Sequence, residues 1–230
     1  MLILAFETSA KAAGVALHDG EKLLAECYQN TGLTHSQTLM VMAEDLLKQC
    51  GKTAQEISAV AVANGPGSFT GVRIGVAAAK GFAWGGELPL FGVSTLEAMA
   101  LGLGIYSGIV CPVMDARRSQ VYNALFRFEC GNCTRIREDR AISIEDLGKD
   151  LQNFDEPVFL VGDGSILCYN ILLKEGIATI LPPEHKLHQR AVGVGLAAQK
   201  RTDGDANALV PNYLRLSQAE RERAERLAKQ

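Results

Sequence analysis

The sequence predicts an α/β protein of two lobes, and three observations carry that expectation. Short apolar runs bounded by turn residues alternate with helix-length amphipathic stretches. The order of these elements starts again after Gly108, although the residues themselves do not visibly repeat. The chain of 230 residues is long enough for two units of roughly 100 residues, each able to bury a core. The expected units are 1–104 and 105–217, followed by a charged helix or tail over 218–230.

In the first unit, Leu2 to Phe6 is a short apolar strand. Gly14 to His18 and Leu23 to Gln29 follow as strands around Asp19-Gly20, a two-residue hairpin signal. Thr34 or Ser36 caps a helix that runs to about Cys50, and Gly51 stands where a helix end favours glycine. Ile57 to Ala63 reads as a buried strand, and Asn64-Gly65-Pro66-Gly67 breaks the chain before a helix from about Gly71 to Trp84. Leu90 to Val93 is the next strand, with Ser94 capping a further helix. The order is βββαβαβα.

The second unit repeats the theme: strands at Ile109 to Met114, Gln120 to Phe128 and Thr134 to Ile142, a helix from Ser143, a strand at Val158 to Val161 and a helix from Ser165. This duplicated order resembles the actin, Hsp70 and sugar-kinase superfamily, whose two ribonuclease-H-like lobes hold nucleotide in the cleft between them. Fold alone does not give function.

Composition narrows the classes. Hydrophobic residues make up 47% and charged ones 21%, as in an ordinary globular protein. With a net charge of −3 there is no overall positive field to draw the chain onto a phosphate backbone, so any RNA contact is expected to be local or through a partner. No apolar run approaches a membrane span and Met1 leads straight into a strand, so no membrane and no export signal are expected. Six scattered cysteines fit reduced thiols, and the expected address is the cytoplasm.

Several segments can carry chemistry, each with a plainer alternative. Thr8, Ser9 and Lys11 lie in the turn between the first two strands, where hydroxyls and N–H groups can grip phosphate or simply close a hairpin. Asp115, at a strand end, can hold magnesium through water or cap the next turn, and Gly162-Asp163-Gly164 sits where the superfamily has its adenosine loop. Asn64 to Gly71 leads into a helix whose free N–H groups can receive an anion, but it lacks the spacing and lysine of a Walker loop. Cys130 and Cys133 read as a hairpin turn around Gly131-Asn132, and His185 and His188 as surface residues, so no metal site is expected. There is no GxSxG elbow and no HExxH.

The two helices of the first unit hold surplus apolar surface. Leu39, Met42 and Leu46 form one stripe; Met40, Ala43 and Leu47 form a second. Gly71, Gly75, Ala78 and Ala79 on the next helix allow another backbone to approach. Leu39, Met40, Ala43, Leu47, Gly71, Gly75, Ala78 and Ala79 are therefore the candidate partner or dimer interface, with close packing inside the lobe as the alternative. Along the tail, Glu222/Arg226 and Glu225/Lys229 suit a solvated helix.

Phe6-Glu7-Thr8-Ser9, His35-Ser36-Gln37, Asn64 through Gly75 and Pro211-Asn212-Tyr213-Leu214-Arg215 together resemble the bacterial TsaB (YeaZ) family across essentially the whole chain. The resemblance implies threonylcarbamoyl transfer to a tRNA adenosine beside the anticodon, with a TsaD-type catalytic paralogue, a TsaE-type ATPase and, functionally, a TsaC-type threonylcarbamoyl-AMP synthase. In the paralogue two histidines four apart bind the catalytic metal; Thr95 and Met99 stand in those places here. A hydroxyl and a thioether do not replace two imidazoles, so the resemblance implies a pseudo-enzyme scaffold with no intrinsic cofactor. It further implies ATP or ADP at a composite site, a homodimer when the partner is absent, and tRNA reached mainly through the complex. The alternatives are an ATP-dependent transferase or kinase acting through Thr8, Ser9 and Asp115, and a peptidase.

Overall fold

A computed structural model describes residues 1–117 and 119–215 of the chain. Strands β1 (Leu2–Glu7), β2 (Ala13–Asp19) and β3 (Lys22–Gln29) form the expected antiparallel meander, with Phe6 opposite Val15 and Val15 opposite Cys27. The β2–β3 turn is Gly20-Glu21, one residue later than Asp19-Gly20, because Asp19 still pairs with Lys22. Helix α1 (His35–Gln49) follows, then β4 (Ala59–Gly65), α2 (Phe69–Gly85), β5 (Leu90–Ser94) and α3 (Thr95–Leu103). Thr34 occupies the cap of α1 without a side-chain bond, whereas Ser68 accepts from the Gly71 N–H at 3.3 Å and Ser94 from the Glu97 N–H at 3.2 Å. The sheet order is β3-β2-β1-β4-β5, with β4 and β5 parallel to β1.

The second sheet contains β6 (Gly108–Asp115), β7 (Gln120–Glu129), β8 (Asn132–Ser143) and β9 (Val158–Val161), ordered β8-β7-β6-β9. Helices α4 (Ile144–Leu151), capped by Ser143, and α5 (Ser165–Lys174) lie where expected. Cys130-Gly131 makes the β7–β8 turn, again one residue from the expected place. Where a fifth strand would complete the repeat, there is an isolated bridge between Phe159 and Ile180.

Among the described residues, four apolar clusters hold these layers. The α1 and α2 face buries Leu4, Phe6, Leu39, Leu46, Val72 and Val76; the opposite face of the first sheet buries Ile3, Ala5 and Val93 against α3 and helix α6 (Ala191–Ala198). The second sheet packs α4 and α5 on one face and α3 on the other, where Leu96, Met99, Ala100 and Leu103 meet Val110, Met114, Ala124 and Phe126. Each fully buried Leu or Phe contributes about 2 kcal/mol through removal from water. Helix α6 falls inside 105–217 yet packs on the first sheet. Its glycines are why: a side chain on Gly193 would collide with the Ala98 carbonyl, and one on Gly195 with the His18 ring. The expected helix or tail at 218–230 lies outside the described residues. Among the described residues no helix is long and apolar enough to cross a membrane.

Candidate functional site

The β1–β2 turn, the N-terminal turn of α2, the end of β6 and the β9–α5 turn meet around a cleft of about 630 Å³. Ser9 and Lys11 line it from the first lobe, Asp115 and Asp163 from the second, and Asn212 to Arg215 close one side. Thr8, Gly162 and Gly164, the other residues singled out for nucleotide, stand behind the wall. Thr8 is fully buried and its hydroxyl donates to the Gly71 carbonyl at 2.8 Å. Gly162 backs onto the Val113 carbonyl and Met99 sulfur, and Gly164 onto the Asp115 N–H.

The glycines of α2 serve this turn. Side chains at Gly71 and Gly75 would strike the Thr8 carbonyl and hydroxyl oxygens, and one at Gly67 would strike Ser9. The Ser68 N–H donates to the Ser9 carbonyl at 2.6 Å, so the turn is sealed by the chain that follows β4. The close approach that the glycines permit is therefore internal, with Gly71 and Gly75 against Thr8. The second apolar stripe of α1 is also internal for the most part: Ala43 and Leu47 are buried, as are Leu39 of the first stripe and Ala79 on α2, because α1 packs against both the sheet and α2. Met40, 43% exposed, and the half-buried Ala78 remain on the surface, beside exposed Val41 and Ala77.

Behind the cleft lies Glu7, which in the sequence stands out only as part of the family segment Phe6-Glu7-Thr8-Ser9, without a role of its own. It is fully buried; one carboxylate oxygen accepts from the Ser9 N–H at 2.5 Å and the other has no partner. Burial pushes its pKa up to about 7, against the lowering by the Ser9 bonds, with Asp163 adding a smaller upward push. Asp163 accepts from Gln189 Nε2 at 3.0 Å, and the protein packed around its carboxyl raises its pKa; its exposed outer face lets water damp that shift. Ser9 is buried beside the Glu7 carboxylate, and Asp115 Oδ1 accepts from the Arg117 N–H at 2.7 Å.

Thr95 and Met99 are buried in α3, with Met99 in the cluster that joins α3 to the second sheet. Cys130 is exposed at its hairpin; His185 lies in a short turn, and His188 Nε2 is 3.5 Å from Glu184. Among the described residues no group of three or more His, Cys, Asp or Glu is arranged to hold a metal ion.

The Pro211 to Arg215 segment was legible only as part of a family pattern. In space Tyr213 stacks on Phe69 with ring centroids 4.7 Å apart, and the Arg73 guanidinium sits 3.8 Å from the Phe69 centroid. Arg73 Nε donates to the Tyr213 hydroxyl at 2.8 Å.

Comparison with known proteins agrees with this architecture. Residues 29–223 match the family model TsaD, tRNA N6-adenosine threonylcarbamoyltransferase. The chain is 33% identical to the tRNA threonylcarbamoyladenosine biosynthesis protein TsaB of Bacillus subtilis over 96% of each. The structure of YeaZ from Pseudomonas aeruginosa superposes with a TM-score of 0.77 at 27% identity, covering 93% of this chain and 99% of that one. The ethanolamine utilization protein EutJ of Carboxydothermus hydrogenoformans, 16% identical with a TM-score of 0.50 over 86% of this chain and 90% of that one, shares the fold. The two-lobed α/β fold expected from the element order is the one observed.

Proposed function

The chain belongs to the TsaB family of tRNA threonylcarbamoyladenosine biosynthesis proteins, and we propose that it acts there as a non-catalytic scaffold for a TsaD-type catalytic subunit. Participation in that biosynthesis follows from the membership; the scaffold mechanism is a finer reading. The observation that carries it is the fate of positions 95 and 99. Thr95 and Met99 are core residues of α3, so the helix that offers metal ligands in the paralogue here offers a hydroxyl and a thioether to packing.

The turn that would grip phosphate points the same way. Thr8 spends its hydroxyl on the Gly71 carbonyl, which argues against a transferase, kinase or peptidase that uses that hydroxyl. The partner face is the exposed outer side of α1 and α2, around Met40, Val41, Ala77 and Ala78. The same face pairs with itself in a homodimer when the paralogue is absent, so the two assemblies exclude each other. ATP or ADP binds at a composite site completed by the complex; a TsaE-type ATPase, a TsaC-type synthase and tRNA meet this chain through that complex.

Reconstitution of threonylcarbamoyl transfer to tRNA from the paralogue, the ATPase and the synthase tests the reading. Wild-type protein restores activity and Met40→Glu lowers it at least tenfold while still folding. The reading fails if the paralogue works unaided, or if this chain turns over ATP by itself.

A further inference from the structure

Residues 199–215 form neither helix nor strand, yet they cross from the end of α6 to the mouth of the cleft. The root of this segment is fixed. Gly204 lies against the Phe91 ring, Ala206 belongs to the first-sheet core, and Leu209 packs over Gly92.

Beyond the root the contacts thin. Val210 is 65% exposed, and Pro211 stiffens the chain at the point where it leaves the core. The tip is held by separate polar contacts in place of a strand ladder. The Asn212 N–H donates to the Asn64 carbonyl at 2.6 Å, Asn64 Nδ2 donates to the Val210 carbonyl at 3.2 Å, and Tyr213 rests on the Phe69–Arg73 pair. The far end reaches the second lobe, where Arg215 donates to the Ala116 carbonyl at 2.9 Å.

The position of the tip gives it a consequence. Asn212 and Leu214 line both the cleft and a second cavity of about 550 Å³, whose other walls include Glu97, Arg135, Lys200 and Arg201. A few residues thus stand as the partition between two cavities that run along the junction of the lobes. We propose that residues 210–215 are a latch across the lobes, shut by Tyr213 on the Phe69–Arg73 pair, whose release joins the two cavities into one interlobe groove.

The latch opens without unfolding either sheet, because its tip buries little and its root stays in the core. Solvent-facing stacks and single hydrogen bonds open locally far more often than the paired strands beneath them.

Amide hydrogen exchange on the full chain, alone in solution, tests this. Tyr213→Ala speeds exchange at least tenfold in peptides over 208–215 and also at the two cleft walls, Pro66–Val72 and Met114–Ala116, while β1 and β7 keep their protection. Tyr213→Phe keeps the ring stack and loses only the hydroxyl, and it gives a smaller acceleration at the same places. Acceleration confined to 208–215 overturns the latch, since the segment is then a surface covering with no hold on the cleft. No acceleration overturns it too. If Tyr213→Ala exchanges faster everywhere, Tyr213→Phe decides: faster tip and both walls support the latch, any other pattern sinks it. The experiment needs no partner protein, so its failure leaves the scaffold reading untouched.

Discussion

The two lobes begin from the same element order and solve burial differently. The first sheet has five strands and is covered on both faces by its own helices plus α6, which returns from the far end of the chain. The second has four strands, keeps α4 and α5 on one face, and has the other covered by α3, an element of the first lobe. The lesson is that the lobes are not independent units. Leu96, Met99, Ala100 and Leu103 form the apolar floor of the second lobe, and the ion pairs of Glu97 with Arg135 and Arg201 fasten the same helix at its rim. An apolar junction of this kind restrains the relative motion that a wet domain interface would permit.

The largest effect is therefore expected from the shared helix. Leu96→Ala removes a fully buried side chain and costs about 3 kcal/mol. In urea unfolding, the fluorescence of Trp84, the sole tryptophan and a residue of the first lobe, shifts its midpoint together with the far-ultraviolet signal of the whole chain. If the Trp84 midpoint stays while the other moves, the lobes unfold separately and the comparison breaks.

Next comes Glu7, whose burden lies mainly in the first lobe, with a smaller push from Asp163 of the second. Its folded pKa, about 7, exceeds the ordinary 4.5. Both states are protonated below pH 4.5; as pH rises toward 7 the unfolded chain releases its proton first, so stability is lost across that window and the loss is complete above it. Glu7→Gln therefore changes little at pH 4 and stabilises increasingly to pH 8, by at most about 3 kcal/mol. Thermal midpoints at the two pH values check this; equal gains at both would mean that burial of the charge is not the cause.

Local signals in the sequence were strong enough to place most elements. Ser94 is a cap in space as in the sequence, the helix expected from Ser143 starts right after it, and Val158–Val161 is a strand to the residue. What stayed illegible depends on partners distant in the chain. Gly193 and Gly195 lower helix propensity in Ala191–Ala198, and only the approach of the Ala98 carbonyl and the His18 ring makes them necessary. Thr8 reads as a ligand at a polar turn, but the carbonyl that takes its hydroxyl belongs to α2. Two apolar stripes on α1 read as a surplus, whereas a helix with a sheet below and a neighbour beside it needs both. The grouping of Phe69, Arg73 and Tyr213 has no local signature at all.

His18 sharpens the comparison from the α6 side. It is fully buried on β2 with neither ring nitrogen bonded, and burial lowers its pKa below 6.5, with Glu26 pulling the other way. The neutral form is the one that fits, so stability is present above 6.5 and declines as the pH falls and the unfolded chain takes up a proton. His18→Phe flattens the acid side of the stability curve between pH 7 and 5; an unchanged slope would assign the acid loss to other groups.

The smallest effect on folding is expected at the outer face of α1, and its smallness is what makes it useful. Leu47 is buried, so Leu47→Glu would leave a charge in the core and unfold the lobe before any partner could be tested. Met40 lies two turns earlier and is 43% exposed, so Met40→Glu should stay within about 0.5 kcal/mol of wild type in urea unfolding. A loss of partner binding in that variant then reports the surface itself. Should Met40→Glu cost several kcal/mol instead, α1 would have no free apolar face, and the interface would have to be sought elsewhere on the first lobe.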